Sequence, residues 1–334
     1  MSAINQEKRV GYVFDPVMMD HVSPTEHPEA PERISKIFNH LEQVKLLRSL
    51  KPIPSGLASY SEFDCIHDQK YIQKVERFFN ELKTTKAKHL TPNFSKGDIF
   101  YSSGTENAFL TAAGSTLNLI DSILDGQIDS GMAIVRPPGH HACSDKAMGF
   151  CFFNNVMLAA ISALNDQRQL KVAILDWDIH HGNGTQEIIE KKKGISDNLL
   201  FISIQRHDHG MFYPGKISSP TCENIVNINI SSPAYGNDTL YLDKMNTIVI
   251  PKLQNFNPDI ILVSSGFDAC QNDPLGEYQL TPECYGKMTE MLLNISPNVM
   301  LVLEGGYNLN EIPLCAESCL RALLNNSAKS KSLS

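Results

Sequence analysis

Five short runs, Met132 to Val135, Val172 to Leu175, Leu199 to Ile204, Ile260 to Val263 and Val299 to Leu303, are almost unbroken in apolar residues. Continuous rather than alternating patterns of this length predict strands buried on both faces of a parallel sheet. Between them the period changes. Phe109, Ala113, Leu117, Ile120 and Leu124 form one apolar stripe at helical spacing. Thr281 can cap and Pro282 can start a helix carrying Met288, Met291 and Leu292, and Pro31 opens a run with Ile34, Ile37, Phe38 and Leu41. Strands alternating with helices predict an α/β fold, an open and mostly parallel sheet covered on both faces. No repeat or linker divides the chain, so a single domain is expected over residues 1–326, with the polar SAKSKSLS, 327–334, as a flexible tail.

Composition narrows the class. With 334 residues, 42% hydrophobic and 20% charged, the chain has the balance of a globular protein with a sizeable core. No apolar stretch is long enough for a transmembrane helix, and the start, MSAINQEKRV, lacks the basic and apolar segments of a secretory signal. The expected location is the cytosol or nucleus. The eight cysteines are scattered without a CxxC pair, which argues against a disulfide framework and a zinc finger. A net charge of -8 argues against broad binding to nucleic acid. The one basic run, Lys191 to Lys193, reads as a solvated helix end.

Polar, glycine-containing segments follow the strands: RPPGHHACSDKAMGFCFFNN, DWDIHHGNGTQ, QRHDHGMFYPG, SSGFDACQNDPLG and EGGYNL. At the carboxyl ends of parallel strands they would converge on one edge, where such sheets bind ligands. Asp176, Asp178 and His180 alternate with apolar residues, so an extended strand end presents them on one side, with Asp268 as a further oxygen donor. Two carboxylates and an imidazole with an open position suit a catalytic metal, although an Asp-rich strand end can also cap a helix or join a hydrogen-bond network. His140 and His141, in a turn stiffened by Pro137 and Pro138, suit proton transfer near neutral pH. Tyr307 can donate to an oxyanion or simply pack in its loop. Phe152 and Phe153 read as core, whereas Phe150, beside Gly149, and Tyr213 suit the walls of a narrow apolar passage.

RPPGHHA, GFCFFNN, DWDIHHGNGTQ, SSGFDA, DPLG and EGGYNL, in this order, resemble the zinc-dependent histone deacetylase family, over about Gly11 to Leu324. Asn183 in HHGNGT is similar to the class II branch, and the tyrosine of EGGYNL to its IIb side. The resemblance implies the arginase/deacetylase fold, with about eight strands in a three-layer α/β/α arrangement. It implies Zn2+ held by Asp178, His180 and Asp268, with Asp176 bonded to His140 and Asn183 orienting His141. It also implies a structural K+ near Asp176, Asp178, His180, Ser203 and Ile204. The implied reaction is removal of acetyl, or a longer acyl group, from lysine in proteins or peptides: His141 and Tyr307 serve the attack of water, and His140 tunes the electrostatics.

At the rim, the family's acidic residue that grips peptide backbone falls near Asp98. The glutamate gatekeeper of polyamine deacetylases is replaced here by Leu275, which favours acetyl-lysine over acetylated polyamines. Gly149, Phe150 and Tyr213 complete the implied substrate passage. Three alternatives stay open on the sequence: a small-amide or acetylpolyamine deacetylase, a binuclear manganese ureohydrolase, and an inactive acyl-lysine binding module. Iron(II) tolerates the same three ligands as zinc.

Overall fold

The computed structural model describes residues 9–84, 92–95, 97–192, 196–231 and 236–332. Its strands are β1 (Val10–Val13), β2 (Lys51–Pro52), β3 (Ser130–Ala133), β4 (Val172–Asp176), β5 (Leu199–Arg206), β6 (Ile225–Ile230), β7 (Ile260–Ser265) and β8 (Val299–Leu303). All neighbouring pairs are parallel, in the order β2-β1-β3-β8-β7-β4-β5-β6. The helices are α1 (Glu32–Gln43), α2 (Gln69–Thr84), α3 (Thr105–Leu124), α4 (Asn155–Leu164), α5 (Asn183–Lys191), α6 (Asp238–Lys244), α7 (Ile250–Phe256), α8 (Pro282–Leu293) and α9 (Ile312–Ser332). α3 packs over β1 and β3 and against α4, which covers β4 and β7, while α9 packs with α1 and α8 and meets β1 and β3, giving three layers. Among the described residues no helix is long and apolar enough to cross a membrane.

The five apolar runs are the buried centre of the sheet, and every residue of β3, β4, β5, β7 and β8 is buried. Three strands escaped the pattern for local reasons. β1 contains a glycine, β2 is two residues long, and β6, at the sheet edge, interrupts its isoleucines with Asn227 and Asn229. Thr281 caps α8 by accepting from Cys284 N, and α1 buries Ile34, Ile37 and Leu41 as its spacing predicts. The single stripe expected on α3 is a correction: Leu117 and Leu124 are only half-buried, and burial extends round most of the helix because α4 and the Pro16–Asp20 turn pack on it as well as the sheet.

α9 runs on to Ser332, within the tail expected at 327–334, since no glycine or proline stops the helix after Ile312 and Pro313. Lys191 ends α5 and pairs with Glu187, one turn earlier. Lys193 and the first eight residues lie outside the described residues.

Chain order matters for function. After β3 the chain skips two places to β4, builds outward to β6, and returns to insert β7 and β8 into the gap. The segments after β4, β7 and β8 thereby become neighbours at the carboxyl edge, with Asp176 beside Ser203 on one side and Ser264 on the other.

Candidate metal centre and catalytic pocket

The chain beyond β4 folds back on its own carboxylates. Asp178 N donates to Asp176 Oδ1 at 3.1 Å, and His180 N to Asp178 Oδ1 at 2.9 Å. From the segment after β7, Asp268 Oδ1 accepts from Ile179 N at 2.8 Å. These backbone bonds aim the remaining donors at one point. Asp178, His180 and Asp268 each offer an atom within 4.8 Å of the others, with His180 Nδ1 3.1 Å from Asp178 Oδ1 and 3.0 Å from Asp268 Oδ2. Gly305 N donates to Asp178 Oδ2 at 2.9 Å, and a Cβ there would collide with both carboxylates, so close approach requires this glycine.

All three groups are buried, and their charges fix each other. Burial and the charge of Asp178 push the Asp268 carboxyl up to about 7. Burial opposes charge on His180, but hydrogen bonds to Asp178 and Asp268 outweigh it and raise the imidazole to about 9. Two buried carboxylates around one imidazole are a donor set short of positive charge.

The paired histidines sit beside it. Glu304 Oε2 accepts from Gly139 N at 2.7 Å and His140 N at 3.0 Å, which pins the histidine turn to the end of β8. His140 Nδ1 lies 3.0 Å from Asp176 Oδ2, and His141 Nδ1 2.7 Å from Asn183 Oδ1. Gly149, at φ +56°, packs against the His141 ring where a side chain would clash, and Phe150 follows at φ +66°. Two successive left-handed residues turn Phe150 into the cavity mouth.

A cavity of about 270 Å3 opens above these groups. His140, His141, His180, Gly149, Phe150, Tyr213, Leu275, Asp98 and Tyr307 all line it, so the sequence candidates converge on one chamber. Asp98 is exposed at the rim, and its charge, after burial, raises the Tyr213 phenol. Tyr307 N donates to Asp273 Oδ2 at 2.7 Å while Asp273 Oδ1 accepts from Leu275 N at 2.9 Å, so one carboxylate ties the tyrosine loop to the Leu275 turn. Phe152 and Phe153 are core, as their pattern predicts, with Phe153 stacked on Phe63 at 3.8 Å. Ser203 and Ile204 are buried on β5 next to Asp176, and Ser203 Oγ has no hydrogen-bond partner among the described residues.

Several contributors were not singled out from sequence. Glu304 and Asp273 open EGGY and DPLG, so their motifs contained the signal. Phe212, stacked on His180 with ring centres 5.0 Å apart, adjoins Tyr213. Arg33 had no local signal: it comes from α1, donates to Gly306 O at 2.6 Å and to Glu304 O, and lies 5.1 Å over the Tyr307 ring.

A three-layer fold with a parallel eight-stranded sheet and this donor set at its carboxyl edge defines the arginase/deacetylase class. The family described as Histone deacetylase domain matches residues 27–323, and the chain belongs to the histone deacetylase family. It is 36% identical to Histone deacetylase 5 of Arabidopsis thaliana over 96% of this chain and 50% of that protein, and 33% identical to human Histone deacetylase 7 over 95% and 36%. The crystal structure of the HDA15 HD domain superposes with a TM-score of 0.85 at 33% identity, covering 96% of this chain and 90% of that one. The chain thus spans half or less of the length of these two curated relatives.

Proposed function

We propose that this chain is a zinc-dependent deacetylase acting on acetyl-lysine in proteins or peptides. The observation that carries the reading is that His180, clustered with the buried carboxylates of Asp178 and Asp268, lines one apolar chamber together with His141 and Tyr307. The buried, anion-rich donor set suits a divalent cation, and Zn2+ held by these three residues would polarise the amide carbonyl and acidify the attacking water.

The protein's own groups supply the proton transfers. With Nδ1 facing Asn183 Oδ1, His141 leaves Nε2 free to take a proton from water and later return it to the leaving amine. Burial and the neighbouring His140 hold His141 well below the usual imidazole range, so it starts neutral. Tyr307, its phenol raised by burial, keeps its proton and donates it in a hydrogen bond to the oxyanion. Phe150, Phe212 and Tyr213 enclose an aliphatic stem, and Asp98 stands where a peptide backbone would pass. Leu275 at the rim offers no charge to a second ammonium, which favours acetyl-lysine over a polyamine.

A monovalent cation, K+ by preference, would sit among Asp176, Asp178, His180, Ser203 and the Ile204 carbonyl; the orphaned Ser203 Oγ supports it. Turnover of an acetyl-lysine peptide and of N8-acetylspermidine by zinc-loaded enzyme, beside a chelated control, tests the reading. Chelator-sensitive preference for the peptide is expected. Preference for the polyamine overturns the substrate, and no turnover of either overturns the activity.

A further inference from the structure

Asn183 decides which nitrogen of His141 carries the proton, and its amide could face either way, since the two ends have nearly the same shape. If Oδ1 faces His141, Nδ1 must donate and Nε2 is a free base. If the amide is reversed, its N–H groups face Nδ1, the ring proton moves to Nε2, and the base is lost. The backbone does not choose between the two. Gly184 N and Thr185 N donate to His140 O at 3.1 and 3.2 Å, which anchors the start of α5 but leaves the side-chain torsion open.

The choice is made on the far side of the amide. Asn183 Nδ2 lies 3.4 Å from Cys143 Sγ and 3.4 Å from Met148 Sδ. A thioether can only accept, so a reversed amide would set its oxygen against sulfur lone pairs. The Cys143 thiol has His141 O at 3.7 Å and Met148 Sδ at 3.9 Å as acceptors, and donation to either leaves the sulfur's lone pairs for Asn183. Burial and Glu187 raise that thiol to about 11, so it stays protonated in this role.

We propose that Met148 and Cys143 are positioning residues for His141, acting through Asn183: their sulfur acceptors hold the amide with Oδ1 toward the imidazole and so keep Nε2 unprotonated. This rests on His141 being the base of the proposed deacetylase. Neither sulfur touches the substrate. Both come from the loop that also supplies Gly149 and Phe150, so one segment shapes the passage and sets the tautomer of its base.

The test uses the zinc-loaded full chain with Met148→Leu and Cys143→Ala, singly and together. With an acetyl-lysine peptide the double variant should lose about tenfold in kcat, with KM within about twofold and zinc content unchanged. In an Asn183→Asp background, where a carboxylate has no N–H to place, the same replacements should change kcat by less than about twofold. In 15N-histidine spectra, the resonances missing from His141→Gln should report an Nδ1-protonated ring in the unsubstituted protein and a mixture of tautomers in the double variant.

A full tenfold loss in the Asn183→Asp background, or a single Nδ1-protonated tautomer in the double variant, overturns the proposal. If the double variant does not fold, Met148→Leu alone, close in shape, carries both readouts. Absence of turnover by the unsubstituted enzyme counts against the deacetylase reading, while the tautomer spectra still decide the role of the sulfurs.

Discussion

The rings of His140 and His141 lie 4.0 Å apart between centroids, yet their Nδ1 atoms meet partners of opposite character: the Asp176 carboxylate at 3.0 Å and the Asn183 amide oxygen at 2.7 Å. Burial acts against charge on both. For His140 the nearby Asp178 and Asp176 outweigh it and raise the ring well above the usual range; for His141 the charge of His140 adds to burial and lowers it. Adjacent residues of one type are thus set to carry and to lack a proton.

A base must be neutral to act, so with His141 as the proposed base, activity should be lost as pH falls through its pKa in the folded protein. Burial and His140 hold that pKa well below the usual imidazole value of about 6.5, and kcat/KM should therefore hold level from about pH 8 down past 6.5 before declining. His141→Gln should lose about 10²- to 10⁴-fold in kcat while still binding zinc. An acid limb centred above 6.5, or near-normal turnover by the variant, contradicts the assignment.

Tyr307→Phe should lower kcat about 10²- to 10³-fold and leave the metal content intact, because the role proposed for the hydroxyl is oxyanion donation, outside the proposed metal ligands. The loop itself should survive, since Asp273 holds Tyr307 through its backbone N–H and not its phenol. Single-turnover kinetics with metal analysis would separate the two roles; unchanged turnover would remove the phenol from the reaction.

Leu275 is the rim position where charge would select the substrate. Leu275→Glu places a carboxylate at the mouth and should raise kcat/KM for N8-acetylspermidine about tenfold or more relative to an acetyl-lysine peptide, an advantage that shrinks with added salt. Equal effects on both substrates would show that the position does not discriminate by charge.

At the proposed site, zinc would have to displace protons from Asp268 and His180. With burial and Asp178 raising the Asp268 carboxyl and its two carboxylate partners raising His180, the metal-free site near pH 7 holds a proton on the imidazole and tends to hold one on the carboxyl. Metal binding should release about one proton or more, and apparent zinc affinity should fall roughly tenfold or more per pH unit on acidification below 7. Calorimetry in buffers of different ionisation enthalpy counts these protons; release near zero would rule out the ligand set.

Away from the pocket, His67 couples stability to pH. Its Nδ1 lies 2.8 Å from Cys143 O and its Nε2 accepts from Asn154 N at 3.1 Å, so both nitrogens are committed in the neutral form. Burial holds the ring down to about 3. The unfolded chain takes up the proton near 6.5 and the folded one does not, so stability is complete above 6.5 and falls as pH drops toward 3. At pH 5 this single group costs about 2 kcal/mol. His67→Gln should flatten the pH dependence of denaturant unfolding between pH 7 and 5, and an unchanged slope would place its origin elsewhere.

The boundary between what could be read and what could not follows the range of the forces involved. β8 was legible to the residue because a strand buried on both faces is apolar throughout, whereas β6 was not, because an edge strand keeps asparagines. The same logic holds at the site. Asp176, Asp178 and His180 are close in sequence, and an extended chain places alternate side chains together without help from elsewhere. RPPGHHA, DPLG and EGGYNL carried the family resemblance because each meets its demands within a few residues.

The sequence by itself therefore determined the five strands at the centre of the sheet, the helix capped by Thr281, the candidate donors and the family. The tertiary structure alone decided that β8 and β7 insert between β3 and β4, that Arg33 reaches from α1 over the Tyr307 ring, and that two sulfurs face Asn183. Arg33 and Gly306 are 273 residues apart, so no local pattern in the chain encodes their contact. Local periodicity reports only which face of an element is buried; which buried faces meet is settled by the packing of the whole core.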